Sequence, residues 1–153
     1  MCNALVYLLT EGHRVLIFSQ WTRLLDLLEV LLNDLGLNFL RLDGSTAVRE
    51  RQGLIDTFSS SQASDPTSPS FIGIFLLSTK AGGLGINLTA ADTVIMHDLD
   101  FNPVNDRQAE DRCHRIGQTK PVTVYKMVTV HSVDESIFAI GQRKTELTKA
   151  ILK

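Results

Sequence analysis

The segment that decides the fold is FIGIFLLSTKAGGLGIN, residues 71–87, in which an apolar run leads directly into hydroxyl and glycine residues. An uninterrupted apolar run, rather than an alternating one, is typical of a parallel strand that is covered on both faces. Gly82, Gly83 and Gly85 then follow too closely for an ordinary strand or helix interior. The segment therefore predicts a buried strand that ends in a glycine-rich loop.

Similar apolar runs recur along the chain and predict four more strands, at residues 15–18, 39–42, 93–96 and 122–125. Helical patterns separate them. Leucines at three- and four-residue spacing end at Gly36, a C-terminal cap, and further helices are predicted at residues 48–58 from Thr46, 103–115 after Asn102, and 133–152 from Ser132 and Glu135. Strands that alternate with helices predict an α/β fold, a doubly wound and mostly parallel sheet with helices on both faces.

The chain length of 153 residues suits one domain. We expect a lobe over residues 1–131 and a C-terminal helix over residues 132–153 that lies against it as a brace. Residues 59–70 are rich in serine and proline, and they predict a flexible surface insertion.

The charge balance is nearly neutral, with 15 basic and 17 acidic side chains and a net charge of -2. A nucleic-acid partner would therefore need a local groove rather than a general basic surface. The longest apolar runs are too short to span a bilayer, and no signal peptide is evident, so we expect a soluble intracellular protein without a membrane partner. Cys2 and Cys113 lack metal-site or disulfide spacing.

The carboxyl ends of parallel strands are where ligands collect. Hydroxyl and glycine residues follow several of the predicted strands, and their backbone N–H groups suit phosphate binding. The segment 43–46, Asp-Gly-Ser-Thr, has two readings: a turn with a helix cap, or a cradle for a DNA phosphate.

Two nucleotide motifs are excluded. Leu88 replaces the third glycine of a dinucleotide fingerprint, and no Gly-Lys pair precedes Ser or Thr as a Walker A loop requires. We therefore expect that the chain alone does not hydrolyse ATP. Asp134 and Glu135 are interpreted as helix-capping residues rather than as a magnesium-binding pair.

Arg112 and Arg115 stand three residues apart, so on the predicted helix they would point the same way. They could pair with Gln108, Glu110 or Asp111 on a solvated face. They could instead stabilise the charge that develops on a γ-phosphate during phosphoryl transfer, which a permanently charged guanidinium does well.

Four segments together resemble the C-terminal lobe of the Swi/Snf group of superfamily-two helicases. They are VLIFSQ at residues 15–20, LDGST at 42–46, LSTKAGGLGINL at 77–88 and DRCHRIGQ at 111–118. The stretch from Asn102 to Arg115 is most similar to the SMARCAD-type subfamily, whose members contain a DEAD/H box.

The resemblance implies a nuclear, ATP-dependent translocase on double-stranded DNA that remodels nucleosomes through their histones and DNA. ATP and Mg²⁺ would be held mainly by an N-terminal RecA-like lobe of the same polypeptide. Arg112 and Arg115 would be the catalytic arginine fingers, with Gly85 and Asn87 beside the nucleotide. The DNA track would comprise Ser19, Gln20, Gly44, Ser45, Thr46, Thr79, Lys80, Phe101 and Asn102, although many relatives carry Trp at position 101.

Two alternatives stay open on the sequence. The chain could serve a DNA-repair translocase or another superfamily-two helicase. It could also be a non-catalytic nucleic-acid or protein-binding module that has kept the fold.

Overall fold

The computed structural model describes residues 1–61, 68–82 and 85–151. All five predicted strands are present: β1 (Val15–Ser19), β2 (Phe39–Leu42), β3 (Ile74–Ser78), β4 (Thr93–Met96) and β5 (Thr123–Lys126). They form one sheet in the order β2-β3-β1-β4-β5, and every neighbouring pair is parallel. The predicted α/β fold is confirmed, and the sheet of the described residues is parallel throughout.

In the part of the chain that the structure describes, six helices pack around this sheet: α1 (Cys2–Thr10), α2 (Thr22–Asp34), α3 (Val48–Ser60), α4 (Thr79–Gly82), α5 (Pro103–Glu110) and α6 (Val133–Ile151). α1 is an addition to the predicted set. Gly36 follows α2 with φ 66°, the left-handed conformation expected of a C-terminal glycine.

Successive residues of the central strand supply two separate cores, because side chains alternate across a sheet. On one face, Val15 and Ile17 pack with the leucines of α1 and α2. On the other, Leu16 and Phe18 pack with residues of α3 and α5, and with partly buried Ile137 and Phe138 of α6. This double coverage explains why the strands are continuously apolar.

The predicted helix over residues 103–115 is wrong at its C-terminal end, because α5 ends at Glu110. The N–H of Asp111 still bonds four residues back, to Arg107 at 2.9 Å. The N–H groups of Arg112 and Cys113 bond only three residues back, to Ala109 and Glu110, each at 3.1 Å. The carbonyl of Arg112 then accepts the N–H of Leu88 at 3.2 Å. This tertiary contact draws the chain away from the helical path, so Arg112 and Arg115 do not share a helix face.

Two smaller predictions also need correction. The cap of α3 is Ala47 rather than Thr46, whose hydroxyl instead accepts the N–H of Asp43 at 3.1 Å. The predicted insertion at residues 59–70 begins too early, because α3 continues through Ser60. Residues 62–67 of that insertion lie outside the described residues, as do Gly83 and Leu84 of the glycine-rich loop and residues 152–153 of the predicted brace helix.

Within the described ranges, no helix is both long enough and apolar enough to cross a membrane.

Candidate functional site

The loop from Asp111 to Gln118, which we call the arginine loop, lies against the segment that follows α4. Besides the bond between Leu88 and Arg112, the thiol of buried Cys113 lies 3.9 Å from the carbonyl oxygen of Leu88. Burial raises the pKa of the Cys113 thiol to about 12, so the thiol stays protonated and packs as a small apolar group. The arginine loop and the segment around Leu88 are therefore held together through backbone contacts.

Arg115 lies exposed at the surface, where its Nη1 donates a hydrogen bond to the carbonyl oxygen of Gly85 at 3.1 Å. Gly85 has φ 76°, a conformation that disfavours any side chain. Asn87 is exposed two residues further on, and its Oδ1 accepts the N–H of Thr89 at 3.4 Å. The structure thus brings Arg115 next to Gly85, with Asn87 on the same short segment.

Arg112 is only 8% exposed, in contrast to Arg115. Its Nε and Nη1 atoms are buried, and they have no hydrogen-bond partner among the described residues. Burial lowers the pKa of Arg112, the nearby charge of Arg115 lowers it further, and Asp111 acts in the opposite direction. Neither arginine forms an ion pair within the part of the chain that the structure describes. Two neighbouring cations without carboxylate partners favour an anion as ligand.

The turn at residues 43–46 is held by hydrogen bonds to the side chain of Asp43. The buried Asp43 carboxylate accepts the N–H of Ser45 at 2.8 Å and its hydroxyl at 2.6 Å. Arg41 donates to the same carboxylate through Nε at 2.9 Å. Burial acts to raise the pKa of Asp43, but the hydrogen bonds from Ser45 and Arg41 outweigh it, and the net pKa is lowered. The turn interpretation therefore fits these side chains, with Gly44 left exposed at the surface.

Ser19 is fully buried at the end of β1, where its hydroxyl donates to the carboxylate of Asp98. The same carboxylate accepts the backbone N–H of Gln20 at 2.9 Å, and Ser19 Oγ accepts the N–H of Trp21 at 3.0 Å. These bonds join the ends of β1 and β4. Ser19 therefore fixes its neighbours, and only those neighbours reach the surface.

A groove at the strand ends, which we call the rim groove, brings three of the predicted DNA residues together. Its lining comprises Gln20, Trp21, Thr79, Lys80, Asp100, Asn105 and Gln108. Lys80 is exposed, whereas Thr79 is buried and its hydroxyl has no partner among the described residues. Gly44, Ser45 and Thr46 follow edge strand β2 and do not line the groove.

Phe101 and Asn102 lie beside the groove at the start of α5. The Phe101 side chain is exposed, and its carbonyl accepts a hydrogen bond from Lys144 of α6 at 3.0 Å. The Asn102 side chain accepts the N–H of Val104 at 3.2 Å and caps α5, as its position before Pro103 predicts.

Three residues that matter for this geometry were not among the predicted site residues. Trp21 lines the rim groove and is 65% exposed, and the signal was its place directly after a strand end. Asp98 accepts hydrogen bonds from Ser19 and Gln20, and no local pattern marks that role. Gln118 donates through its amide to the carbonyl groups of Thr89 and Ala91, and its signal was its place at the end of the DRCHRIGQ segment. Among the described residues, no cluster of His, Cys, Asp or Glu is arranged to hold a metal ion.

Comparisons with known proteins identify the family to which this fold belongs. The family model of the helicase conserved C-terminal domain matches residues 1–117. Protein CHROMATIN REMODELING 19 of Arabidopsis thaliana is 55% identical over 99% of this chain, which covers 19% of that protein. The human SWI/SNF-related matrix-associated actin-dependent regulator of chromatin subfamily A containing DEAD/H box 1 is 53% identical over 90% of this chain, which covers 13% of it.

A crystal structure of the C-terminal part of the Fun30 ATPase domain superposes with a TM-score of 0.80 at 48% identity. That alignment covers 88% of this chain and 40% of the solved one. The chain thus spans under a fifth of the curated relatives named above. By fold and family match, the chain belongs to the helicase conserved C-terminal domain family.

Proposed function

We propose that this chain is the second motor lobe of an ATP-dependent translocase that moves along double-stranded DNA and remodels nucleosomes in the nucleus. The proposal assigns it half of an ATPase site and half of a DNA track. A first RecA-like lobe of the same polypeptide would bind ATP and Mg²⁺. The names of the relatives, which refer to chromatin remodelling and to regulation of chromatin, support this proposal.

The observation that supports the ATPase part is a pair of neighbouring arginines without ion pairs among the described residues, one of which, Arg115, contacts the carbonyl of Gly85. Arg41, elsewhere in this chain, is held by carboxylates, whereas Arg112 and Arg115 are in no ion pair among the described residues. Keeping two like charges close together is unfavourable unless a ligand supplies negative charge. The polyphosphate of ATP would supply such negative charge.

The two arginines would act differently. Arg115 is exposed and can exchange the Gly85 carbonyl for a phosphate oxygen by rotating its side chain. Arg112 is buried and would be held in a fixed position beside the phosphate. Its low solvation would strengthen the electrostatic attraction between its charge and the phosphate. Bound Mg²⁺ would neutralise phosphate charge, and we expect its ligands to come from the first lobe.

The DNA part of the proposal uses the rim groove. Lys80 and the amide of Gln20 would contact phosphate oxygens, and such contacts position a duplex without reading its sequence. The exposed ring of Trp21 could lie against the sugar-phosphate backbone. Backbone N–H groups near Gly44 would extend the track along β2, while Ser19 would hold Gln20 in place.

The test is the Arg115→Ala variant of the complete polypeptide, assayed for DNA-stimulated ATP turnover. Loss of an arginine finger should lower kcat by about 10³-fold or more, with ATP binding nearly unchanged. Arg107→Ala is the matched control, because Arg107 is exposed on α5 and belongs to neither proposed site. Stronger stimulation by nucleosomes than by naked DNA is expected of a remodeller.

Unchanged turnover in Arg115→Ala would contradict the ATPase assignment. Equal stimulation by nucleosomes and by naked DNA would instead favour a translocase that acts on DNA alone.

A further inference from the structure

Gln118 holds the end of the arginine loop through both ends of its side-chain amide and through its backbone N–H. Its Nε2 lies 3.2, 2.7 and 3.3 Å from the carbonyl oxygens of Thr89, Ala91 and Cys113. Its Oε1 accepts the N–H of Lys120 at 3.0 Å, and its own N–H donates to the carbonyl of Arg115 at 3.0 Å. Acceptors surround one end of the amide and a donor meets the other, which fixes its orientation.

These bonds join the two segments that meet at Arg115. Thr89 and Ala91 belong to the segment that begins at Gly85, whereas Cys113 and Arg115 belong to the arginine loop. Gly117 has φ 105°, so the turn just before Gln118 depends on a conformation that favours glycine. Together with the bond between Leu88 and Arg112, the side chain of Gln118 therefore fixes the position of the loop against the segment at 85–91.

We infer that Gln118 is a positioning residue for ATP hydrolysis, which acts by fixing the backbone that carries Arg115. This inference rests on the proposed function of Arg115 as an arginine finger. Gln118 itself would touch neither ATP nor DNA. Its amide bonds to carbonyl groups of the arginine loop and of the neighbouring segment. Loss of the amide would therefore let Arg115 move while the sheet stays intact. A shift of about 1 Å in a catalytic group can lower a rate by about 10²-fold.

Gln118→Glu is the most direct variant, since it keeps the shape but replaces the N–H donors with an oxygen that faces carbonyl oxygens. Gln118→Met is the second variant, because it removes the hydrogen bonds without adding charge. Gln52→Glu serves as the matched control, because the Gln52 amide is exposed on α3 and bonds only to Asp56 among the described residues.

The experiment measures kcat and KM for ATP in the complete polypeptide, with each variant made alone and together with Arg115→Ala. Alone, Gln118→Glu and Gln118→Met should lower kcat by roughly 10- to 100-fold and change KM by less than about threefold. Gln52→Glu should match the parent. In the Arg115→Ala background, the Gln118 changes should lower the rate no further, because the group that they misplace is already absent.

Additive losses in the double variant would overturn the inference. A variant that merely reduced the amount of folded protein would lower the rate by the same factor in both backgrounds, and would count against it equally. Full turnover in Gln118→Glu beside a large loss in Arg115→Ala would refute the inference and leave the proposed function standing. Full turnover in Arg115→Ala alone would refute the proposed function itself.

Discussion

Arg41 and the pair Arg112 and Arg115 show two opposite uses of the same side chain within one lobe. Arg41 contacts three carboxylates, with its Nη1 3.0 Å from Glu29 and its Nη2 2.7 Å from Asp43, and Asp26 completes the set. Burial acts to lower the pKa of Arg41, but the hydrogen bonds and charges of these carboxylates raise it above its ordinary value. Arg112 and Arg115 have no such partners among the described residues, and the pKa of Arg112 is lowered by burial.

This difference in ion pairing distinguishes an arginine that stabilises the fold from arginines that are free to bind a ligand. An arginine whose donors are all used by carboxylates holds a turn together and has little left for a ligand. An arginine that is buried without an acceptor costs stability, and folded proteins keep such groups chiefly where they serve a function. The contrast makes Arg41 part of the fold and the arginine loop the candidate for chemistry.

Of the changes considered, removal of the Arg112 charge should have the largest effect on ATP turnover. In the complete polypeptide, Arg112→Met should lower ATP turnover by about 10³-fold, because the transition-state charge loses a fixed cation. The melting temperature should stay constant or rise slightly, because an unpaired buried charge is removed. Steady-state ATPase assays and thermal melting check the two halves. A clear fall in melting temperature would mean that Arg112, like Arg41, stabilises the fold.

Arg41→Met should have the opposite profile. Loss of the guanidinium leaves the buried Asp43 carboxylate without its cation, and we expect the free energy of unfolding to fall by about 2–3 kcal/mol. Denaturant unfolding of the chain measures this value. The matched exposed variant Arg107→Met should change it by less than about 0.5 kcal/mol. A neutral result for Arg41→Met would remove the structural half of the comparison.

The carboxylates allow a smaller test of the same contrast, because Asp106 is buried without a cation as close as Arg41 is to Asp43. Burial raises the pKa of Asp106 to about 6, whereas hydrogen bonds from the N–H of Asp100 and the charge of Lys126 act to lower it. A folded-state pKa above the unfolded value means that protonation stabilises the fold. The Asp106 contribution is therefore present at low pH and is lost as pH rises through about 6.

Between pH 7.5 and pH 5, Asp106 should add about 1 kcal/mol to the free energy of unfolding. The measurement compares denaturant unfolding of the parent with that of Asp106→Asn at both pH values, since the amide cannot titrate. The difference between the two proteins should change with pH by this amount. A difference that is independent of pH would mean that the Asp106 carboxyl titrates alike in the folded and unfolded chains.

Sequence reasoning succeeded where a local pattern decides the structure. Continuous apolar runs located all five strands, and Asn102 before Pro103 located the start of α5. It was wrong where a distant contact decides, as at the end of α5. There, the N–H of Leu88 donates a hydrogen bond to the carbonyl of Arg112, and the chain leaves the helical path. The prediction that Arg112 and Arg115 share a helix face was therefore wrong, because both residues lie beyond the end of α5.

The site residues divide in the same way. Motif order pointed to Gly85 and Arg115, which the fold does place in contact. Residue type alone could not tell that Ser19 is fully buried against Asp98, or that the hydroxyl of Ser45 is used by Asp43. These assignments depend on which side chains the parallel sheet brings to one edge, and that information is not local in the chain.

The most direct test of the central claim is a structure of the complete polypeptide with DNA, ADP and aluminium fluoride, which mimics the phosphoryl group in transfer. The decisive quantities are the distances from the guanidinium groups of Arg112 and Arg115 to the fluoride ligands. We predict that both arginines lie within hydrogen-bond distance of this group and that Arg115 has left the carbonyl of Gly85. Arginines that remain in their present positions, far from the nucleotide, would contradict the account.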